Sequence, residues 1–159
     1  MIARKARAED TPQLLEMAAA MHAESPRFQH LGYSEEKMYD VIQRLLAENI
    51  GGIVTIDAEN GRLAGMFGFL IVEYFFSFEK VATDLGIYVR PEFRGTSAFP
   101  RMLRMFEDWT DQLGVADKQV SVTTGVNTER VVRAFERLGY SHYGEVMVKK
   151  DELCAPELQ

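Results

Sequence analysis

The stretch from Asp84 to Leu113 constrains the fold most, because it predicts a strand, a short loop and a helix in immediate succession. Leu85, Ile87 and Val89 alternate with other residues in the period of two that is typical of a strand with two different faces. A proline then ends the strand pattern. From about residue 99 apolar residues return at helical spacing, and Gly114 stands where a helix C-terminal cap is expected.

The loop between this strand and this helix, residues 94–98, consists of one arginine and four small residues. The first-turn N–H groups of a helix have no partner within the helix, and the helix dipole adds positive charge there. The segment therefore suits a phosphate or pyrophosphate. A connection that binds nothing is the alternative, because the chain has neither a G-x-G-x-x-G nor a Walker motif here.

Residues 89–95, with the sequence V-R-P-E-F-R-G, resemble the signature segment of the GNAT superfamily of acyl-CoA N-acyltransferases, V-x-P-[EQ]-[YF]-R-G. The family continues with a glycine-rich pyrophosphate turn, and its two glycine positions hold Ser97 and Phe99 in this chain. Glycine serves where a backbone approaches a ligand closely or adopts a positive φ. The departure therefore bears on cofactor affinity rather than on the fold.

A second segment, residues 127–140, is similar to the family pattern N-x-x-A-x-x-L-Y-x-K-x-G-F, with one residue more between its asparagine and its glycine. Aligned from Gly139, the position of the family's tyrosine holds Phe135. In the family that tyrosine often protonates the departing CoA thiolate. A phenyl ring carries no such proton, so the role is either absent here or filled by another group.

The resemblance implies acetyl-CoA (coenzyme A) as cofactor, held by the backbone of the signature strand and by the turn that follows it. The residues that it assigns to cofactor binding are Ile87, Val89, Arg94, Gly95, Thr96, Ser97, Ala98, Phe99, Asn127 and Phe135.

Asp84 and Tyr88 are the candidate catalytic residues, because simple alternation places both on one face of the signature strand. Acyl transfer to an amine needs a group that takes up a proton, directly or through water. We expect Asp84 to be this base and Tyr88 to orient the reactants or to donate a proton. The alternative for Asp84 is an ion-paired or exposed strand carboxylate.

His30 and Tyr33 are the candidate acceptor-binding residues, because the resemblance places the first helix, the loop and the second helix beside the acceptor pocket. The alternative, which is favoured for each residue taken singly, is a partly exposed loop residue without a role.

The net charge and the cysteine content limit which binding partners and which cellular compartment we expect. The net charge of −6 argues against nucleic acid or an anionic membrane as the main partner and mildly favours a cationic acceptor. Cys154 is the only cysteine, so the chain forms no internal disulfide, and we expect no metal site. The sequence has neither a signal peptide pattern nor a membrane-spanning run, which predicts a reducing, cytoplasmic location.

The predicted fold is mixed α/β with the order β-α-α-β-β-β-α-β-α-β and a mainly antiparallel, GNAT-like twisted sheet flanked by helices. We expect a single domain over residues 1–150 and a polar tail over residues 151–159. The last two strands are predicted at residues 119–124 and 140–149. Gly65 and Gly68 predict a bulge or a close backbone approach in the long third strand.

The function that the resemblance implies is an acetyl-CoA-dependent N-acetyltransferase, a transferase that acts by direct attack in a ternary complex. The acceptor is the primary amine of a small molecule or a peptide, and a homodimer is possible. Two alternatives stand beside it: a catalytically weakened GNAT-fold protein that binds CoA or only a protein partner, and a plain α/β domain whose motif match is accidental.

Overall fold

The computed structural model describes residues 1–48 and 50–149. The described chain falls into two compact units, one of residues 1–22 and 33–121 and the other of residues 23–32 and 122 onward. The single domain over residues 1–150 stays a prediction, and the expected polar tail lies outside the described residues. No helix in the described ranges is both long and apolar enough to cross a membrane.

The first unit contains a five-stranded sheet in the order β1-β2-β3-β4-β5. The first four strands pair antiparallel, and β5 lies parallel to β4. The strands are β1 Ile2–Lys5, β2 Gly51–Asp57, β3 Leu63–Glu73, β4 Lys80–Val89 and β5 Asp117–Gln119. The α-helices of the described residues are α1 Thr11–Glu24, α2 Glu35–Leu46, α3 Ala98–Gln112 and α4 Thr128–Arg137. The predicted mixed α/β class, the mainly antiparallel sheet and the crossover after the signature strand are confirmed.

Helices cover both faces of this sheet because neighbouring residues of β3 point to opposite sides. Met66 packs with residues of α1 and α2 in one apolar cluster. Phe67 packs on the other side against Phe106 of α3, with ring centroids 4.5 Å apart. The sheet therefore has a core on each face, as expected for a sheet covered by helices on both sides.

An ion pair fixes α1 to the end of β4. The side chain of Arg90 is only 7% exposed, and its Nη1 lies 2.7 Å from Oε1 of Glu16 on α1. The second guanidinium nitrogen donates to the other carboxylate oxygen at 3.2 Å, while Nε donates to the Leu63 carbonyl at 2.9 Å. A bidentate pair of this kind holds both position and angle. It joins the first helix, β3 and the signature strand at one point.

A β-bulge interrupts β4 at Leu85. On β3, Gly68 faces Gly86 and the next residue, Phe69, faces Asp84, so Leu85 is an extra residue with no partner. A bulge bends the strand and increases its local twist. The sequence prediction of an irregularity near Gly68 is confirmed, and a carbon atom added at Gly65 would lie 2.6 Å from the Tyr88 carbonyl oxygen, which is the close approach that was expected there.

The strand predicted over residues 119–124 is mostly absent. β5 covers Asp117–Gln119, and its pairing with β4 ends where Thr83 faces Gln119. The physical reason lies in β4, since the bulge begins two residues after Thr83 and turns the strand out of register with its neighbour. Residues 120–124 therefore have the sequence pattern of a strand but no described neighbouring strand with which to form backbone hydrogen bonds.

The strand predicted over residues 140–149 is not formed in the described chain, so the final β of the predicted order is wrong. The alternating pattern is real, but a strand needs a neighbour for its backbone N–H and C=O groups, and no described strand pairs with this segment. Tyr143 and Met147 are accordingly exposed.

Replacing Gly52 with alanine is predicted to destabilise the protein by about 1–3 kcal/mol, because the new methyl group overpacks a filled site. An added Cβ would lie 2.2 Å from Cη2 of Trp109, whose ring is buried against Phe69. Urea unfolding measures the loss. Gly32→Ala is the matched control, since nothing lies within 4 Å of its added Cβ, and its stability should stay within about 0.5 kcal/mol of the wild type. Equal stability of the two variants would contradict this packing.

Candidate functional site

The outer edge of β4 beyond the bulge carries backbone groups that have no partner strand among the described residues. Pairing with β5 stops at Thr83, while pairing with β3 continues to Val89. The N–H of Arg90 donates to Ala64 on β3, and the direction of the amides alternates along an antiparallel strand, so the N–H and C=O groups of Ile87 and Val89 point away from β3. In the described chain no strand covers this edge. It offers a ladder of donors and acceptors to a ligand that contains amides.

The turn after β4 leads from this edge directly to α3. Pro91–Phe93 form one 3-10 turn, Gly95 adopts φ +83°, and α3 begins at Ala98. Only glycine adopts this left-handed conformation without steric cost. Nε of Arg94 donates to the Val89 carbonyl at 2.9 Å, so this guanidinium lies at the junction of the strand edge and the turn.

Ser97 and Phe99, the positions at which the sequence resemblance expects glycine, occupy conformations that any residue can adopt. Ser97 has φ −77° and ψ 4°, and Phe99 lies in the first turn of α3. The left-handed position of the turn is Gly95, which the chain retains. The conformational need for glycine is therefore met, and the two substitutions act through the size and polarity of their side chains.

The small polar residues of the turn are bonded to the loop itself. The Thr96 hydroxyl donates to the Phe93 carbonyl at 2.7 Å and accepts from the Ala98 N–H at 3.2 Å. Ser97 Oγ accepts from Nε of Arg101 at 3.2 Å. These contacts give the start of α3 a defined geometry and hold the Arg101 guanidinium beside Ser97 at the first turn of the helix.

Asp84 bridges β4 to the segment that follows β5. Its Oδ1 accepts from the Ser121 N–H at 2.7 Å, and its Oδ2 accepts from the Ser121 hydroxyl at 3.1 Å. The side chain thus replaces the next backbone hydrogen bond of the parallel ladder. Burial raises the pKa of Asp84, and the hydrogen bonds from Ser121 lower it by less, so the net direction is upward.

Tyr88 does not share a face with Asp84. Residues that face each other across an antiparallel pair lie on the same side of the sheet. Asp84 faces Phe69, while Tyr88 faces Met66, three residues earlier on β3 and therefore on the opposite side. The expectation of a common face is wrong because the bulge adds one residue between the two.

Tyr88 belongs to the apolar cluster beneath α1 and α2. It is 7% exposed, and the guanidinium carbon of Arg94 lies 5.6 Å from its ring centroid. That distance permits a cation–π contact. Tyr88 therefore holds the arginine of the turn against the end of the strand.

The second unit holds Asn127 and Phe135. Asn127 precedes α4 with φ +47° and makes no side-chain capping bond to the helix. Phe135 is buried and packs edge-to-face on Tyr140, with ring centroids 5.4 Å apart. Phe135, where the sequence resemblance expects a tyrosine, is thus an aromatic packing residue in this unit.

The two acceptor candidates differ in their surroundings. His30 is exposed in the loop of the second unit. Tyr33 belongs to the first unit, where its ring lies 5.3 Å from that of His22 at the end of α1. Burial raises the pKa of Tyr33, and the nearby Glu35 raises it further.

A groove of about 830 Å³ lies between α1 and α2 in the first unit. Glu9, Glu16 and Glu35 give it an acidic lining, and Tyr39 adds an aromatic ring. None of the residues predicted for the site lines this groove, so it stands apart from the strand edge.

Sequence reasoning missed Leu85 and Gly86, the residues that shape the edge. A Cβ at Gly86 would lie 2.8 Å from Cε of Met21, so the methionine side chain of α1 packs directly against this glycine. Glycine within a strand pattern indicates a bulge or a close approach. That signal was present at Gly86, but it was read only at Gly65 and Gly68.

Comparison with protein families gives one match over most of the chain. The model of the Acetyltransferase (GNAT) family matches residues 17–140. This range includes the bulged strand, the turn and α4. No match in sequence was found among curated proteins.

Solved structures with the same fold include three acetyltransferases. AAC(6')-Iy, in complex with the bisubstrate analog CoA-S-monomethyl-acetylneamine, is 13% identical, with a TM-score of 0.75 over 94% of this chain and 97% of that one. Glucosamine-6-phosphate N-acetyltransferase from Arabidopsis thaliana is 16% identical, with a TM-score of 0.72 over 93% and 96%. The aminoglycoside 6'-N-acetyltransferase AAC(6')-IG from Acinetobacter haemolyticus is 18% identical, with a TM-score of 0.72 over 96% and 99%. At these identities the likeness shows the fold.

The partly buried carboxyl of Asp84 predicts a pH dependence of stability. Because its pKa is raised in the folded state, the folded protein binds this proton more tightly than the unfolded chain does. The resulting stabilisation is present below the ordinary aspartate pKa of about 3.9 and is lost as the pH rises through the folded-state value. The wild type should therefore lose stability relative to Asp84→Asn as the pH rises, as measured by urea unfolding between about pH 3 and pH 7.

Asp108→Asn controls for the loss of one negative charge, because this carboxylate is exposed on α3. A difference between wild type and Asp84→Asn that stays constant across the pH series would contradict the predicted titration.

Proposed function

Because the chain belongs to the Acetyltransferase (GNAT) family, we propose that it is an acetyl-CoA-dependent N-acetyltransferase. The proposed reaction transfers an acetyl group to a primary amine of a small molecule or peptide. The observation that carries the proposal is the open edge of β4 beyond Leu85, which runs directly into the turn at Gly95 and the start of α3. Amide-binding and phosphate-binding groups thus follow one another along one segment.

The described residues fit coenzyme A by their chemistry. The outward N–H and C=O groups of Ile87 and Val89 suit the two amides of a pantetheine arm, in the manner of an added strand. The turn from Arg94 to Phe99 suits a pyrophosphate, since it combines a guanidinium, a left-handed glycine and a helix N-terminus. Asn127 and Phe135 complete the set of proposed cofactor residues. Bound acetyl-CoA supplies the acetyl group as a thioester.

The proposed transfer is a direct attack in a ternary complex. The amine nitrogen forms a bond to the carbonyl carbon, the carbon–sulfur bond breaks, the amine loses a proton and the thiolate gains one. We propose that Asp84 takes up the proton that the amine loses, directly or through water. Each oxygen of its carboxylate accepts one hydrogen bond from Ser121 and can accept another. The raised pKa also makes this carboxylate a stronger base.

The group that protonates the thiolate is proposed to be Tyr88 or water. Phe135 at the family's tyrosine position has no hydroxyl to donate. Tyr88 acts independently of Asp84, since the two lie on opposite faces of β4.

The proposed acceptor is an amine on a polar scaffold, bound by His30 and Tyr33. This proposal is supported by the chemistry named for two related folds, which acetylate an aminoglycoside and glucosamine 6-phosphate. The acidic composition of the chain suits a cationic acceptor. The single cysteine suits the reducing cytoplasm, which we propose as the compartment.

A second candidate is a CoA-binding or protein-binding module of the same fold with weakened catalysis. Phe135 favours it, because a buried phenyl ring replaces the usual proton donor. Ser97 and Phe99 add side chains where the family's turn has none. Cofactor binding without acetyl transfer would select this candidate.

Isothermal titration with acetyl-CoA is predicted to show micromolar binding, and Arg94→Ala is predicted to weaken it by about ten- to a hundredfold. This range corresponds to the loss of one charge-assisted hydrogen bond in a partly exposed site. Arg104→Ala is the matched control, since it removes an exposed positive charge from α3 outside the turn. A folded protein that binds no acetyl-CoA would contradict both candidates that use the cofactor.

Asp84→Asn is predicted to lower kcat/KM by about 10²–10⁴-fold, the usual contribution of a general base, and to remove the acidic limb of the pH–rate profile. Ser121→Ala serves as control, because it removes one hydrogen bond to Asp84 and leaves the carboxylate in place. Initial velocities with varied acetyl-CoA and amine should intersect, as a ternary complex requires. Unchanged turnover in Asp84→Asn would remove the assigned role.

A further inference from the structure

The connection between β3 and β4 exposes the most prominent apolar surface of the first unit. We call residues 74–78 the aromatic hairpin, because four of its five residues are tyrosine or phenylalanine. Phe75 is 99% exposed, Phe78 is 93% exposed and Phe76 is 71% exposed. Isolated apolar residues on a surface are ordinary, but a contiguous patch indicates an interaction site.

The aromatic hairpin has a defined shape before any partner binds. Its turn is closed by a hydrogen bond of 3.1 Å from the Ser77 N–H to the Tyr74 carbonyl. The rings of Tyr74 and Phe76 stack with centroids 5.1 Å apart at an angle of 9°. The Tyr74 hydroxyl donates to Asp117 on β5 at 3.3 Å, which fixes this pair to the sheet. Rigid aromatic anchors lose little conformational entropy on binding.

The aromatic hairpin lies far from the bulge that shapes the proposed transfer site. Phe78 precedes Leu85 by seven residues, and an extended chain rises about 3.3 Å per residue, so the two are separated by roughly 20 Å. An acceptor at the open edge of β4 therefore does not use these rings. Their exposure needs a separate explanation.

We propose that the aromatic hairpin is the contact surface of a homodimer in which two copies of this chain pack their hairpins together about a two-fold axis. An aromatic side chain buries about 150–250 Å², so three nearly exposed phenylalanines and a half-exposed tyrosine supply roughly 500 Å² from each copy. Two copies together reach about 1,000 Å², the lower limit of a specific interface. The sequence analysis gave a homodimer as possible, and the aromatic hairpin is the surface that we propose for its interface.

Charged residues at the base of the aromatic hairpin favour a second copy of this chain, rather than a lipid surface, as its binding partner. Glu73 and Glu79 flank the rings together with Lys80. Within residues 1–48 and 50–149, no ion pair engages Glu79 or Lys80. Opposite charges on one patch can pair with the same patch on a symmetric partner. Two carboxylates and a net charge of −6 oppose an anionic membrane.

Sedimentation velocity over a range of protein concentrations tests the proposal. The wild type is expected to be dimeric, and the double variant Phe75→Ser with Phe78→Ser is expected to raise the dissociation constant at least about 100-fold, as loss of two central anchors does. Both side chains are almost fully exposed, so the double variant should keep the circular dichroism spectrum of the wild type, and its melting temperature should fall below that of the wild type only at concentrations at which the wild type is dimeric. Tyr143→Ser is the matched control, because it removes an equally exposed aromatic ring elsewhere.

A spin label supplies an independent readout. Val72→Cys in a Cys154→Ser background places one label beside the aromatic hairpin. A two-fold contact gives a defined label-to-label distance that disappears on dilution and in the Phe75 and Phe78 double variant.

Three results would overturn the proposal. They are a wild type that stays monomeric at every concentration, a dimer that Tyr143→Ser dissociates while the double variant does not, and a monomer that binds neutral phosphatidylcholine vesicles through Phe75 and Phe78. The last result would assign the aromatic hairpin to a lipid surface.

Discussion

The single extra residue at Leu85 is the constraint on which the geometry of the candidate site depends. Without a bulge, β4 and β5 would continue their parallel ladder, and each backbone group of Ile87 and Val89 would have a strand partner. With the bulge, the ladder ends at Thr83, and the Asp84 carboxylate replaces the next backbone hydrogen bond. The edge of β4 beyond this point has no partner strand in the described chain. One irregularity therefore converts a structural strand into a binding edge.

The rest of the first unit holds this bent strand in place. The ion pair between Arg90 and Glu16 ties its end to α1, and Met21 of the same helix packs against Gly86 at the bulge. On the opposite face, α3 packs its aromatic residues against β3. The strand is thus fixed at its end by a charge pair whose arginine is buried and at its bend by packing against α1, while its outer edge stays accessible.

The local elements of the chain were largely predictable, and the long-range pairings were not. The helix after the turn, its cap at Gly114 and the irregularity near Gly68 follow from spacing and from glycine chemistry, which act over a few residues. The strands expected at 119–124 and 140–149 have the right pattern, but a ladder requires a partner in register. That partner is absent in the first case because β4 bends away, and no described strand supplies it in the second.

By itself, the sequence determined the mixed α/β class, the family and the segment from Val89 to Phe99, because these depend on periodicity and on residues adjacent in the chain. Only the tertiary structure decided that Asp84 and Tyr88 lie on opposite faces, that Asp84 bonds to Ser121 and that Gly95 takes the left-handed position of the turn. The physical reason is that the faces of a strand depend on counting paired residues. One unpaired residue moves every later side chain of the strand to the opposite face. Such a bulge is visible only in the pairing with the neighbouring strand.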